Sequence, residues 1–124
     1  MFDFEKLEVY QVTQAQNISV LKFLRDHGDL DIDLGKQWKL ASLNTVLHLA
    51  ESTARMSATE KKNELTLARG AINECVVFLE MARELKVIDV PQAETFYLKY
   101  EQMSKMMLGM IRSFSEDFTQ SRKV

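Results

Sequence analysis

The chain is poor in the residues that break or staple a fold. Its 124 residues include one Pro, four Gly, one Cys and two His. Barrels and sandwiches need many turns, so so few breakers favour a small number of long helices. One Cys forms no internal disulfide, and it builds no zinc site without several His, of which there are only two; a reducing cytoplasm is the expected setting. No stretch approaches the ~20 consecutive apolar residues of a membrane span, so no membrane partner is expected. The opening Met1-Phe2-Asp3-Phe4-Glu5 is acidic and does not read as a signal peptide. An excess of positive charge is also missing: 16 Lys and Arg stand against 18 Asp and Glu, a net charge of −2. That removes the simplest form of nucleic-acid binder, a strongly basic domain.

What is present is globular. Hydrophobic residues make up 46% and charged residues 27%, and the length suits one domain over residues 1–124. The punctuation divides it into four helices, at about 4–26, 34–56, 58–87 and 90–120. His27-Gly28-Asp29 stops the first, with Gly28 suited to a left-handed cap. Asp31 or Asp33 caps the second. Ser57-Ala58-Thr59-Glu60 is a capping box for the third. Asp89 caps the fourth, with Pro91 in its first turn, where the missing N–H is harmless.

The third helix has the cleanest period, with Leu65, Ala68, Ile72, Cys75, Leu79 and Ala82 in steps of three and four, flanked by Leu67, Ala71, Phe78 and Leu85. The fourth repeats it with Phe96, Tyr100, Met103, Met107, Met110, Phe114 and Phe118, within about 80° on a helical wheel. Both predict one buried side in a four-helix bundle. The first two helices are apolar on two sides. In the second, Leu34, Trp38, Ala41, Thr45 and Leu49 oppose Leu40, Leu43, Leu47, Ala50 and Ala54. In the first, Phe4, Leu7, Tyr10, Ile18 and Leu21 oppose Val9, Val12, Val20 and Phe23. A second apolar side in water marks an interaction surface. The expectation is a homo-oligomer with Val9, Val12, Val20, Phe23, Leu40, Leu43 and Leu47 at the subunit interface.

No constellation reads as catalytic, so no enzyme and no cofactor are expected. Asp29, Asp31 and Asp33 alternate like the start of a calcium loop, but Leu34 and Leu40 stand where that loop needs Gly and a bidentate Glu. They read as an acidic turn with caps. His48 and Glu51 have the three-residue spacing of bundle metal sites, but such sites need carboxylates on facing helices, one in a second Glu-x-x-His. None is evident, and no metal site is expected. Glu51 and Arg55 are spaced for a helix ion pair. Cys75 lies in an apolar stripe and reads as a buried, inert thiol. Gly70 in mid-helix costs about 1 kcal/mol against Ala, which suggests close helix packing or a subunit contact. The charge is uneven: residues 1–30 carry the whole deficit, while residues 34–62 hold five bases, Lys36, Lys39, Arg55, Lys61 and Lys62, against two acids. Those five are the candidate contact for RNA or DNA.

Ala68-Arg69-Gly70-Ala71-Ile72-Asn73-Glu74, then Leu79-Glu80-Met81-Ala82-Arg83-Glu84-Leu85, resembles the third helix of the four helix bundle protein family, also called the 23S rRNA intervening-sequence protein family. Phe4-Glu5-Lys6-Leu7-Glu8-Val9-Tyr10-Gln11 is similar to its N-terminal signature. In the second helix, Lys36-Gln37-Trp38-Lys39-Leu40-Ala41 and His48-Leu49-Ala50-Glu51-Ser52 stand where the family has Ser-Gln-Leu-Arg-Arg-Ala and Asn-Ile-Ala-Glu-Gly. The family's Pro in this helix is Val46 here. Glu51, Arg69, Gly70 and Glu74 occupy signature positions. The resemblance implies an all-α, up-down, left-handed four-helix bundle in a small bacterial cytoplasmic protein, often a barrel-shaped pentamer. Some family genes lie within insertions of 23S rRNA genes. A related, strongly basic branch serves diversity-generating retroelements as a partner of reverse transcriptase and nucleic acid. The implied function is a non-enzymatic interaction or scaffold module; the alternative is a nucleic-acid or ribonucleoprotein accessory protein with a ring-repeated basic patch.

Overall fold

The three later helices begin where a short polar side chain takes up free backbone N–H groups, whereas the first begins after Leu7 with no side-chain cap. In a computed structural model, which describes the backbone of residues 1–123 and the side chains of residues 1–115, a short 3-10 turn, Asp3–Lys6, precedes α1, Glu8–Asp26. It is followed by α2, Ile32–Ala54, α3, Ala58–Glu84, and α4, Val90–Lys123. Asp31 Oδ1 accepts from the N–H groups of Asp33 and Leu34, both at 3.0 Å, and so starts α2 two residues earlier than expected. Ser57 Oγ accepts from Glu60 N–H at 3.1 Å and lies 2.9 Å from the Glu60 carboxylate. Asp89 Oδ1 accepts from Gln92 N–H at 2.8 Å.

Two helix ends differ from the expectation. Gly28 is not left-handed; no glycine among the described residues has a positive φ. His27 ends α1 instead, its Nδ1 lying 2.8 Å from the Phe23 carbonyl oxygen and its ring against the Phe23 ring. The third helix stops at Glu84 rather than about Val87. Lys86 takes the left-handed conformation (φ 58°), and the N–H groups of Lys86 and Val87 bond back to the carbonyls of Arg83 and Ala82.

The helices pack in chain order, and α4 closes the bundle against α1. Neighbours in the chain run antiparallel. Phe23 meets Trp38 while Asn17 meets Thr45 across α1 and α2. Ser42 meets Cys75 while His48 meets Glu64 across α2 and α3. Arg83 meets Glu94 while Arg69 meets Ser104 across α3 and α4. The stripe of α3 is buried along its length, from Leu65 to Ala82, as are Phe96, Tyr100, Met103 and Met107 of α4; Met110 and Phe114 pack at the edge. The Phe118 side chain lies outside the described residues. From α2 the core takes Trp38, Ala41 and Leu49, with Thr45 buried beside them.

The core stripe of α1 is Val9, Thr13, Gln16, Asn17, Val20 and Phe23. Val9, Val20 and Phe23, expected at a subunit interface, are therefore inside the chain, and Val12 is half-buried against the same core. The two sides of α1 were exchanged because the middle of its core stripe is polar. Gln16 Nε2 donates to the Phe96 carbonyl at 2.9 Å, and Asn17 Nδ2 donates to the Ser42 carbonyl at 2.7 Å and to Thr45 Oγ1 at 3.1 Å. These bonds satisfy buried amides that hydropathy alone places in water. On the opposite side, Phe4 packs its ring on Tyr10 at 4.9 Å, leaving Ile18 exposed.

Candidate functional site

Two features stand outside the core, and both are built on the α2–α3 hairpin. The first is an outer apolar surface. Leu40, Leu43 and Leu47 lie on the side of α2 away from Trp38 and Leu49; Leu40 and Leu47 are each 53% exposed and Leu43 37%. The third helix carries a second exposed stripe, largely apolar but interrupted by Glu74. Leu67, Gly70, Glu74, Val77, Met81 and Leu85 follow one another at steps of three and four, and all are exposed. On a 100° wheel they fall within about 80°, nearly opposite the core stripe of the same helix. A groove of about 780 Å³, lined by Leu34, Val76, Val77, Met81 and Leu85, continues this surface between the start of α2 and the end of α3.

Gly70 has no packing partner inside the chain, against the expectation of close helix packing. A Cβ added there would meet nothing within 4 Å, so packing inside the chain does not require glycine. Of the other signature positions, Arg69 donates from Nε to Ser104 Oγ at 3.2 Å, tying α3 to α4, and Glu74 is exposed.

The second feature is polar. Glu64, in the second turn of α3, points at the last turns of α2 with its side chain only 12% exposed. Its Oε2 lies 2.9 Å from His48 Nδ1, and its Oε1 accepts from Arg55 Nη2 at 2.8 Å and Nε at 3.2 Å. The His48 contact, followed by the Arg55 contact, holds the Glu64 carboxyl below the usual carboxylate range, against the opposing effect of burial. Glu51 Oε2 lies 3.4 Å from the same His48 nitrogen. The expected Glu51–Arg55 pair is thus replaced. Arg55 follows the last helical residue with an extended backbone (φ −74°, ψ 150°), which turns its side chain toward α3 instead of back along α2. Glu64 went unnoticed in the sequence, although a signal was there. It sits four residues before Ala68 and eight before Ile72, so it is an acid on a core stripe, and a charge in that position needs partners.

The five candidate nucleic-acid bases do not form one surface. Lys36 and Lys39 border a cleft of about 640 Å³ between the end of α1 and the start of α2. Arg55, Lys61 and Lys62 lie at the other end of α2, which at 1.5 Å per residue is roughly 24 Å from Lys39. That second group is also occupied within the chain. Arg55 holds Glu64, Lys61 Nζ caps the α2 carbonyls of Ser52 (3.3 Å) and Thr53 (3.5 Å), and Lys62 Nζ donates to Ser115 Oγ at 3.3 Å. The buried Cys75 has its thiol pushed up to about 11, chiefly by desolvation, which keeps it protonated and a poor nucleophile. No helix of the described residues is long and apolar enough to cross a membrane.

None of the curated proteins matches the chain. Among solved structures, a protein of unknown function from the S23 ribosomal protein family of Bacteroides thetaiotaomicron is similar, with a TM-score of 0.77 at 19% identity, over 83% of this chain and 97% of that one. At that identity the likeness speaks for the fold. The description that fits at the level of sequence is 23S rRNA-intervening sequence protein, matched over residues 5–109, from the 3-10 turn to the buried part of α4. The chain therefore belongs to the 23S rRNA-intervening sequence protein family.

Proposed function

We propose that the chain is a non-enzymatic interaction module that works in the cytoplasm as a subunit of a homo-oligomer, with the outer apolar surface of α2 as its assembly face. The observation that carries this reading is the row Leu40, Leu43 and Leu47, exposed in the single chain at helical spacing and opposite a complete core stripe. Covering a half-exposed Leu contributes on the order of 1 kcal/mol, and a symmetric assembly repeats that gain at every interface. A pentamer is the form the family resemblance implies.

Leu43→Asp tests the assembly face. It places a charge in the middle of the row without touching the core. The expected outcome is a smaller sedimentation coefficient with the far-UV helix signal retained. Loss of helicity would make Leu43 a residue of the fold; an unchanged coefficient would move the assembly face elsewhere. A nucleic-acid role draws less support from the geometry, because the basic residues divide between the two ends of α2. Binding to structured RNA that weakens steeply with salt would restore it.

A further inference from the structure

His48, Glu51 and Glu64 each offer one ligand atom, and these atoms all lie within 4.8 Å of one another. We propose that this is a site for a first-row divalent cation of the zinc type, bound by His48 Nδ1 and one carboxylate oxygen from each glutamate. Three observations support it. Ligand atoms around an ion with bonds of ~2.0–2.2 Å are about 3.0–3.6 Å apart. The separations from His48 Nδ1 are 2.9 Å to Glu64 Oε2 and 3.4 Å to Glu51 Oε2, in or close to that range, and the two glutamates reach within 4.8 Å of each other.

Second, two carboxylates this close repel unless positive charge is placed between them. Arg55 contacts only the far oxygen of Glu64, Oε1, and so leaves Oε2 turned toward His48 and Glu51. That is the arrangement in which a neighbouring group fixes the orientation of a ligating carboxylate. Third, the donors come from different helices. Glu51 is three residues after His48 on α2, while Glu64 comes across from α3. The imidazole favours zinc-like ions over calcium or magnesium, which prefer oxygen donors alone. Glu51 and His48 are partly open to solvent, so the ion can enter and would keep a water in its fourth position. Bound there, it would tie the end of α2 to the start of α3.

The test is calorimetric titration of the metal-stripped full chain with zinc chloride, on the wild type and on His48→Ala, Glu51→Gln and His27→Ala. The expected result is one ion per chain in the wild type and in His27→Ala. Affinity should fall at least about tenfold in His48→Ala and Glu51→Gln. Zinc should raise the melting temperature only of the chains that bind it. Absence of saturable binding by the wild type, or unchanged binding in Glu51→Gln, would overturn the proposal. Glu51 is half-exposed, so its variant remains informative even if His48→Ala destabilises the fold.

Discussion

Replacing Phe23 with Ala separates the core of this bundle from its outer surface. Phe23 is 3% exposed, and its ring lies 5.7 Å from the Trp38 ring, 6.1 Å from the Phe96 ring and 4.1 Å from the imidazole of His27. Three helices meet on this one side chain. Truncation of such a residue costs about 3–5 kcal/mol in lost transfer and cavity energy. That is a large part of the ~5–15 kcal/mol available to a domain. At about 2.1 cal/mol/K per residue, an unfolding entropy of roughly 0.26 kcal/mol/K for 124 residues converts the loss into a fall in Tm of ~12–19 °C. Circular dichroism melts measure it, run both in the wild-type background and with Leu43→Asp, so that dissociation is not mistaken for unfolding. A fall of only a few degrees with a drop in assembled mass would refute the reasoning, because it would put Phe23 between chains.

Three further outcomes follow from the same packing. Gly70→Ala should raise stability by about 0.8–1 kcal/mol in the Leu43→Asp background, since the helix gains and the Cβ meets nothing; a loss in thermal melts would contradict this. Glu64 has a lowered folded-state pKa, so the stability it contributes is present above the ordinary glutamate range and is lost as pH falls through and below it. Glu64→Gln in metal-free buffer should therefore be less stable than wild type near neutral pH and lose less between about pH 5 and pH 3, as read by urea titrations; parallel curves would remove Glu64 as the cause. Cys75 should resist alkylation by iodoacetamide at pH 8 in the native chain and react once the chain is unfolded in urea; fast native labelling would show that the α2–α3 core opens.

The two later helices were legible in the sequence because their core stripes are apolar throughout. Leu65 to Ala82 and Phe96 to Met107 satisfy the helical period with hardly a polar interruption and are buried, but Leu67 and Leu85, expected to widen the α3 stripe, lie too far round the helix and are 54% and 57% exposed. The first helix was misread for the converse reason. Thr13, Gln16 and Asn17 occupy three successive core positions, and only the tertiary structure supplies the carbonyls of Phe96 and Ser42 that receive the amides. Hydropathy therefore assigned Val9, Val20 and Phe23 to the outside. On α2 the buried polar residues Ser42, Thr45 and Ser52 are small, Trp38, Ala41 and Leu49 still mark the core side, and Leu40, Leu43 and Leu47 are exposed where the period puts them.

The polar cluster was half legible. His48 and Glu51 announce themselves by spacing, and the facing carboxylate they need is Glu64, outside any second Glu-x-x-His. Its place is set by the antiparallel register of α2 on α3, which no local pattern encodes. The basic run of residues 34–62 is nearness in sequence only: a helix of 23 residues separates Lys36 and Lys39 from Arg55, Lys61 and Lys62, and the chain's own carboxylate, carbonyls and hydroxyl engage the last three.

On the proposed reading, the exposed row on α2 is covered by another copy of the chain. Light scattering coupled to size exclusion, on the wild type across a dilution series at micromolar concentration, tests it most directly. One species with a mass several times 14.3 kDa, stable to dilution, is expected. A mass of 14.3 kDa throughout would contradict it, because Leu40, Leu43 and Leu47 would then stand in water in the working protein.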